Sequence, residues 1–150
     1  MISEIEQQTM DLDWFLTDGE YIGFMTSCGG KLPDSVIESE QRRQILVDYF
    51  RNLPEISETL INPELDKILN KDSGSGGGLE DYFFLAKKGL YSFDKTVLNN
   101  FFDPHYHLVV FPKNPLRLKD LSQDILDIIV KTKYEGKLKD IQNIDISEIK

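Results

Sequence analysis

Apolar and polar positions first alternate in two short extended runs. Leu12-Asp13-Trp14-Phe15-Leu16-Thr17 and Glu20-Tyr21-Ile22-Gly23-Phe24-Met25 flank Asp18-Gly19, a dipeptide that accepts the positive φ angles of a tight hairpin turn. A two-residue loop sets Trp14 opposite Gly23, with the indole over a position that has no side chain. Leu12, Leu16, Tyr21 and Met25 share that face, which is expected in the core. The other face sets Asp11, Asp13 and Phe15 against Ile22 and Phe24, a mixture of acids and aromatics that calls for cover by a helix or by a partner.

The period then changes. After Ser27-Cys28-Gly29-Gly30, Pro33 suits a first helical turn with Asp34 near the positive end of the dipole, and Val36, Ile37, Leu46, Tyr49, Phe50 and Leu53 recur at helical spacing. This predicts one helix of about five turns, stopped by Pro54. Asn62-Pro63-Glu64 predicts a capped, shorter helix through Leu69, and the run of serine and glycine at 73–78 a flexible loop. Tyr82-Phe83-Phe84-Leu85 running into Lys87-Lys88-Gly89 suits a helix C-terminus, with a strand as the alternative. Leu90 to Asp94 and Tyr106 to Pro112 read as strands, the second apolar on both faces and so central. A last helix begins near Asp120 or Ser122, with Ile125, Leu126, Ile128 and Ile129 as its buried stripe, and Asp140 to Ile146 can add an edge strand. Together these predict a single α+β domain over residues 1–150, an antiparallel sheet of about four or five strands packed against three or four helices.

Composition supports one globular core: 150 residues, 40% hydrophobic and 29% charged. No run approaches the length of a membrane span, and the N-terminus has neither the basic patch nor the apolar core of a signal peptide. A lone cysteine, Cys28, cannot form an internal disulfide. The expected location is the cytoplasm, without a membrane partner. The net charge of -9 is distributed unevenly, because residues 1–72 hold 15 acidic and 6 basic residues while residues 73–150 hold 11 of each. Such a surface does not suit nucleic acid, whose binding relies on Lys and Arg displacing counterions. A basic protein is the better partner, and the candidate contacts are Asp11, Asp13, Asp18, Glu20, Glu38 and Glu40. Acidity that merely confers solubility is the plainer reading.

Catalytic patterns are sparse. In Asp103-Pro104-His105-Tyr106-His107, two histidines at i and i+2 on a strand face the same way and can share a metal with Asp103 as an oxygen ligand, but a third protein ligand is missing from the motif. Ordinary histidines at a strand entry are the simpler account. Cys28, flanked by small residues, is exposed enough in principle to act as a nucleophile if a histidine reached it; an inert thiol is the alternative. Neither glycine-rich stretch is followed by the Lys-Ser or Lys-Thr pair of a phosphate loop. No cofactor is expected.

Two blocks carry a resemblance. Asp13-Trp14-Phe15, Ile22-Gly23-Phe24 and the Ser27-to-Gly30 turn leading to Leu32-Pro33 resemble the opening of small uncharacterised bacterial proteins of the toxin-immunity type. Gly89-Leu90-Tyr91-Ser92-Phe93-Asp94, then Tyr106, Pro112-Lys113-Asn114-Pro115-Leu116, Leu118 and Asp120-Leu121, resemble their second half. The matching positions, within 13–33 and 89–121, are turns and core residues, and the Ser-Gly loop has no counterpart. The resemblance implies inhibition of a secreted toxin by binding rather than catalysis. The leading expectation is therefore a non-enzymatic protein-binding module. A metal-assisted hydrolase built on His105 and His107, and a homo-oligomer using exposed aromatics, are the alternatives.

Overall fold

The computed structural model describes residues 1–65 and 79–149. The predicted loop at 73–78, and the part of the predicted 62–69 helix beyond residue 65, lie outside the described residues. The start of that segment is capped as its sequence suggests, with the Glu64 N–H donating to Asn62 Oδ1 at 3.0 Å.

The hairpin forms from β1 (Asp13–Thr17) and β2 (Ile22–Thr26), but its register is Thr17↔Ile22 and Trp14↔Met25. The connection is thus wider than the predicted two residues, and local side chains account for it. Asp18 Oδ1 accepts the Glu20 and Tyr21 N–H groups, while Thr17 Oγ1 accepts the Gly19 N–H and donates to the Tyr21 carbonyl. These bonds draw residues 18–21 into one turn around the two side chains. The register moves by two residues, so every side chain keeps its face. Leu16, rather than Trp14, now lies opposite Gly23, where a Cβ would come 3.0 Å from Leu16 Cδ1.

The sheet is mixed, which corrects the purely antiparallel expectation. β4 (Tyr91–Lys95) pairs parallel to β2 and antiparallel to β5 (His105–Pro112), giving the order β1-β2-β4-β5. A parallel pair needs a long crossover between its strands, and the chain from Thr26 to Tyr91 supplies it. The far edge of β5 is divided. β3 (Thr59–Ile61) takes residues 110–112 and β6 (Asn143–Asp145) takes 105–107, both antiparallel. Asn62 and Gln142 fill the gap: the Asn62 N–H and side-chain amide donate to the Val109 and Leu108 carbonyls, and the Leu108 N–H donates to the Gln142 carbonyl. β5 is central and buried on both faces, as its unbroken apolar run predicts.

Each face of the sheet has its own core. On one, Phe15, Ile22, Phe24, Val109 and Val110 pack against α3 (Glu40–Arg51), α4 (Glu80–Lys87) and α5 (Gln123–Ile129), through Leu46, Phe50, Tyr82, Leu85, Ala86, Ile125 and Ile129. On the other, Trp14, Leu16, Met25, Phe93, Tyr106 and Ile144 of the strands pack with Ile2, Val36, Tyr134 and Leu138. Here the Trp14 indole N–H donates to the Tyr106 hydroxyl at 3.3 Å, and the rings meet edge to face. The acid-and-aromatic face of the hairpin is therefore covered by helices of its own chain.

The two cores explain a second correction. The predicted five-turn helix is broken into α2 (Asp34–Ile37) and α3, with Ser39 extended between them and its hydroxyl accepting the Arg42 N–H as a new cap. Val36 belongs to one core and Leu46 and Phe50 to the other, and one straight helix cannot serve opposite faces of a sheet. A further helix, α1 (Glu4–Thr9), is held by a capping box between Ser3 and Glu6. The end of α4 follows its sequence: Gly89 has φ +99°, and the buried Lys88 ammonium donates to the last carbonyls of α3's end, Arg51 and Leu53. Among the described residues no helix is long and apolar enough to cross a membrane.

Candidate functional site

The six acidic candidates fall around the hairpin and the start of α3, and most are engaged by their own chain. Asp18 Oδ1 closes the turn, and its Oδ2 accepts the Leu138 N–H at 2.8 Å. Asp13 meets Arg51 at 2.7 Å, in a pair that extends to Asp81 at 3.7 Å. Burial of the Asp13 carboxyl outweighs the help from Arg51 and holds it above the usual carboxylate range. Glu38 pairs with Arg42 and Glu40 with Arg43, whose hydrogen bond keeps Glu40 below its ordinary value. Arg43 also donates to the Asp13 carbonyl on the outer edge of β1. Asp11 accepts the Cys28 N–H at 2.9 Å. Glu20 projects from the turn, exposed.

A consequence follows for charge. In the stretch 1–65, Arg42, Arg43 and Arg51 are each committed to a carboxylate of the same chain. Among the described residues no cation lies within ion-pair distance of Asp11, Glu20 or Asp34, all three exposed.

The histidine and cysteine candidates gather at the far end of β2, β4 and β5. Asp94 and His107 are directly opposite one another, and Asp94 Oδ1 accepts from Thr26 Oγ1 at 3.0 Å and lies 3.7 Å from Cys28 Sγ. Thr26 in turn is 2.8 Å from the Tyr82 hydroxyl of α4. Cys28 itself sits at φ +45° in the turn after β2. Burial, followed by the negative charges of Asp94 and Asp11, pushes the Cys28 thiol up to about 12, so it is protonated at neutral pH and a poor nucleophile. His107 is buried, with Nδ1 3.0 Å from Thr96 Oγ1 and, among the described residues, no partner on Nε2. Burial lowers its pKa, and Asp94 opposes that shift only in part.

His105 faces a different environment. Its Nδ1 is 3.1 Å from Asp103, and its Nε2 is 3.9 Å from Asp145. Despite the cost of burying the Asp103 carboxyl, hydrogen bonds from the His105 backbone and ring keep that group below its ordinary value. The two histidines therefore serve separate partners. Among the described residues no three His, Cys, Asp or Glu side chains are placed to hold one metal ion.

Sequence reasoning did not single out Lys95, the charged residue that organises this end of the molecule. Its side chain is 1% exposed, and its ammonium donates to the Val97 and Asn100 carbonyls at 3.1 Å each, with Asp103 at 3.9 Å. Burial lowers its pKa, with Asp103 acting in the opposite direction. A lysine at a strand end reads as surface; only Gly30, leaving room for its methylenes, hinted otherwise. The chain matches no protein-family model, no curated protein and no solved structure.

Proposed function

We propose that this chain is a non-enzymatic protein-binding module whose acidic N-terminal half meets a basic partner, in the manner of an inhibitor of the toxin-immunity type. The observation that carries the reading is the commitment of Arg42, Arg43 and Arg51 to internal carboxylates, while Asp11, Glu20 and Asp34 are exposed with no counter-cation among the described residues. An unbalanced field of one sign attracts a cationic protein and speeds encounter. The protonated thiol of Cys28 and the separate partners of the two histidines favour binding over catalysis.

The test is recovery of partners from a lysate of the source organism at low and at high salt, followed by association kinetics with the purified partner. The expected partner is basic, and its on-rate falls about tenfold when Asp11→Asn, Glu20→Gln and Asp34→Asn are combined or when salt is raised. A complex whose on-rate ignores both changes sinks the reading.

A further inference from the structure

The most exposed aromatic side chain among the described residues is Phe102, at 76%, and the loop that carries it is tied down at every turn. Inside, Lys95 holds the Val97 and Asn100 carbonyls. Asn100 accepts the Asp103 N–H through both its carbonyl and its side chain. On one flank the Lys31 N–H donates to the Phe101 carbonyl at 3.0 Å; on the other the Ile146 N–H donates to the Pro104 carbonyl at 2.9 Å. Phe101 braces Phe102 edge to face, with ring centroids 5.0 Å apart. A large apolar side chain is thus displayed on backbone that has already lost its freedom, which lowers the entropic cost of using it as a contact.

Phe102 borders an open groove of about 380 Å³, lined also by Lys31, Asp34, Pro104, Ile146 and Ile149. The groove sets these apolar side chains beside one acid, Asp34, and one cation, Lys31. The segments 31–34, 102–104 and 145–149 carry four acids, Asp34, Asp103, Asp145 and Glu148, and among their described residues one lysine, Lys31; Asp103 and Asp145 are already met by His105, whereas Asp34 and Glu148 are exposed.

Resting on the reading that this chain binds a basic protein, we propose that the groove beside Phe102 is where that partner docks, by inserting an apolar side chain flanked by arginine or lysine. The apolar group packs on Phe102, Pro104 and Ile149 while the flanking cations meet Asp34 and Glu148. An arginine can in addition stack on the Phe102 ring. A second copy of this chain is the poorer occupant, because each copy brings a net charge of -9 to the contact.

The probes are two blocked tripeptides, arginyl-leucyl-arginine and glutamyl-leucyl-glutamate, titrated into the full-length ¹⁵N-labelled chain and into its Phe102→Ala variant. The expected result is weak binding of the basic peptide alone, with amide shifts concentrated at 31–34, 102–104 and 146–149. Phe102→Ala, whose thermal midpoint stays at the parent value, weakens it at least tenfold. Shifts centred on Asp11 and Glu20 instead leave the basic-partner reading standing and overturn the groove. No shift with either peptide overturns both. Equal binding of the acidic peptide, or a Phe102-dependent dimer in sedimentation over a dilution series, also overturns the proposal, the latter assigning the groove to a second copy.

Discussion

Gly89→Ala measures how tightly the entry to β4 is packed. Gly89 has φ +99°, a left-handed conformation that costs an L-residue roughly 1–2 kcal/mol. A Cβ there would also stand 2.6 Å from the Leu116 backbone nitrogen, 2.7 Å from its Cβ and 3.0 Å from Ile56 Cδ1. Leu116 cannot retreat freely, because its N–H donates to the Gly89 carbonyl at 2.9 Å. Overpacking of this kind adds about 1–3 kcal/mol, so the expected loss is about 2–5 kcal/mol. Gly23→Ala is the control: its φ is not positive, and the new Cβ would press only on the tip of Leu16 at 3.0 Å, for a loss of about 1 kcal/mol. Urea unfolding followed through Trp14, the single tryptophan and fully buried, reads both variants. A loss below about 1 kcal/mol for Gly89→Ala, or a larger one for Gly23→Ala, refutes the argument.

Asp18→Ala removes an acceptor from the Glu20, Tyr21 and Leu138 N–H groups at once and should cost about 1–3 kcal/mol in urea melts, whereas Asp18→Asn keeps part of the network and costs less. His107, neutral in the folded chain because burial lowers its pKa, should make stability fall as pH drops below about 6.5, where the unfolded imidazole takes up a proton that the folded one refuses. The slope from this group is at most about 1.4 kcal/mol per pH unit, and His107→Gln should flatten the measured profile by that part; an unchanged profile contradicts the assignment. Alkylation of Cys28 by iodoacetamide at pH 8 should run roughly a thousandfold slower in the native protein than in the denatured one, given a thiol near 12, and Asp94→Asn should narrow the gap.

Alternation and period made some of this visible in advance. The faces of the hairpin survived a wrong register because the error was an even number of residues, and the unbroken apolar run at 108–111 placed β5 in the middle of the sheet. The Gly89 stop was equally direct, and of the stripe read on α5, Ile125 and Ile129 are buried while Leu126 and Ile128 are only half-buried. What patterning lacks is information about neighbours. Nothing in Ile22-Gly23-Phe24 names β4 as its second partner or makes the pairing parallel, and helical spacing across Ser39 looks continuous although the residues on either side serve different cores. The capping box of Ser3 and Glu6 was present in the sequence and marks α1 without an apolar stripe to draw attention. Around the candidate surface, the acids were legible as a charge imbalance, but their internal partners were not. Phe101-Phe102 stood in a turn-forming context between Asn100 and Asp103, where an aromatic pair has no core to enter; that mismatch was the available signal.

The outer edge of β1 is closed from far along the chain. Thr17 exchanges backbone hydrogen bonds with Thr132 and Tyr134, and Asp18 holds Leu138. During synthesis the hairpin emerges well before Thr132, Tyr134 and Leu138, the residues that seal this edge. Until then a strand with unpaired backbone groups is available to other nascent chains. The protein is thus expected to depend on chaperones more while being made than its finished form suggests, and a chain cut short before Thr132 should be recovered in aggregates rather than as a weakened monomer.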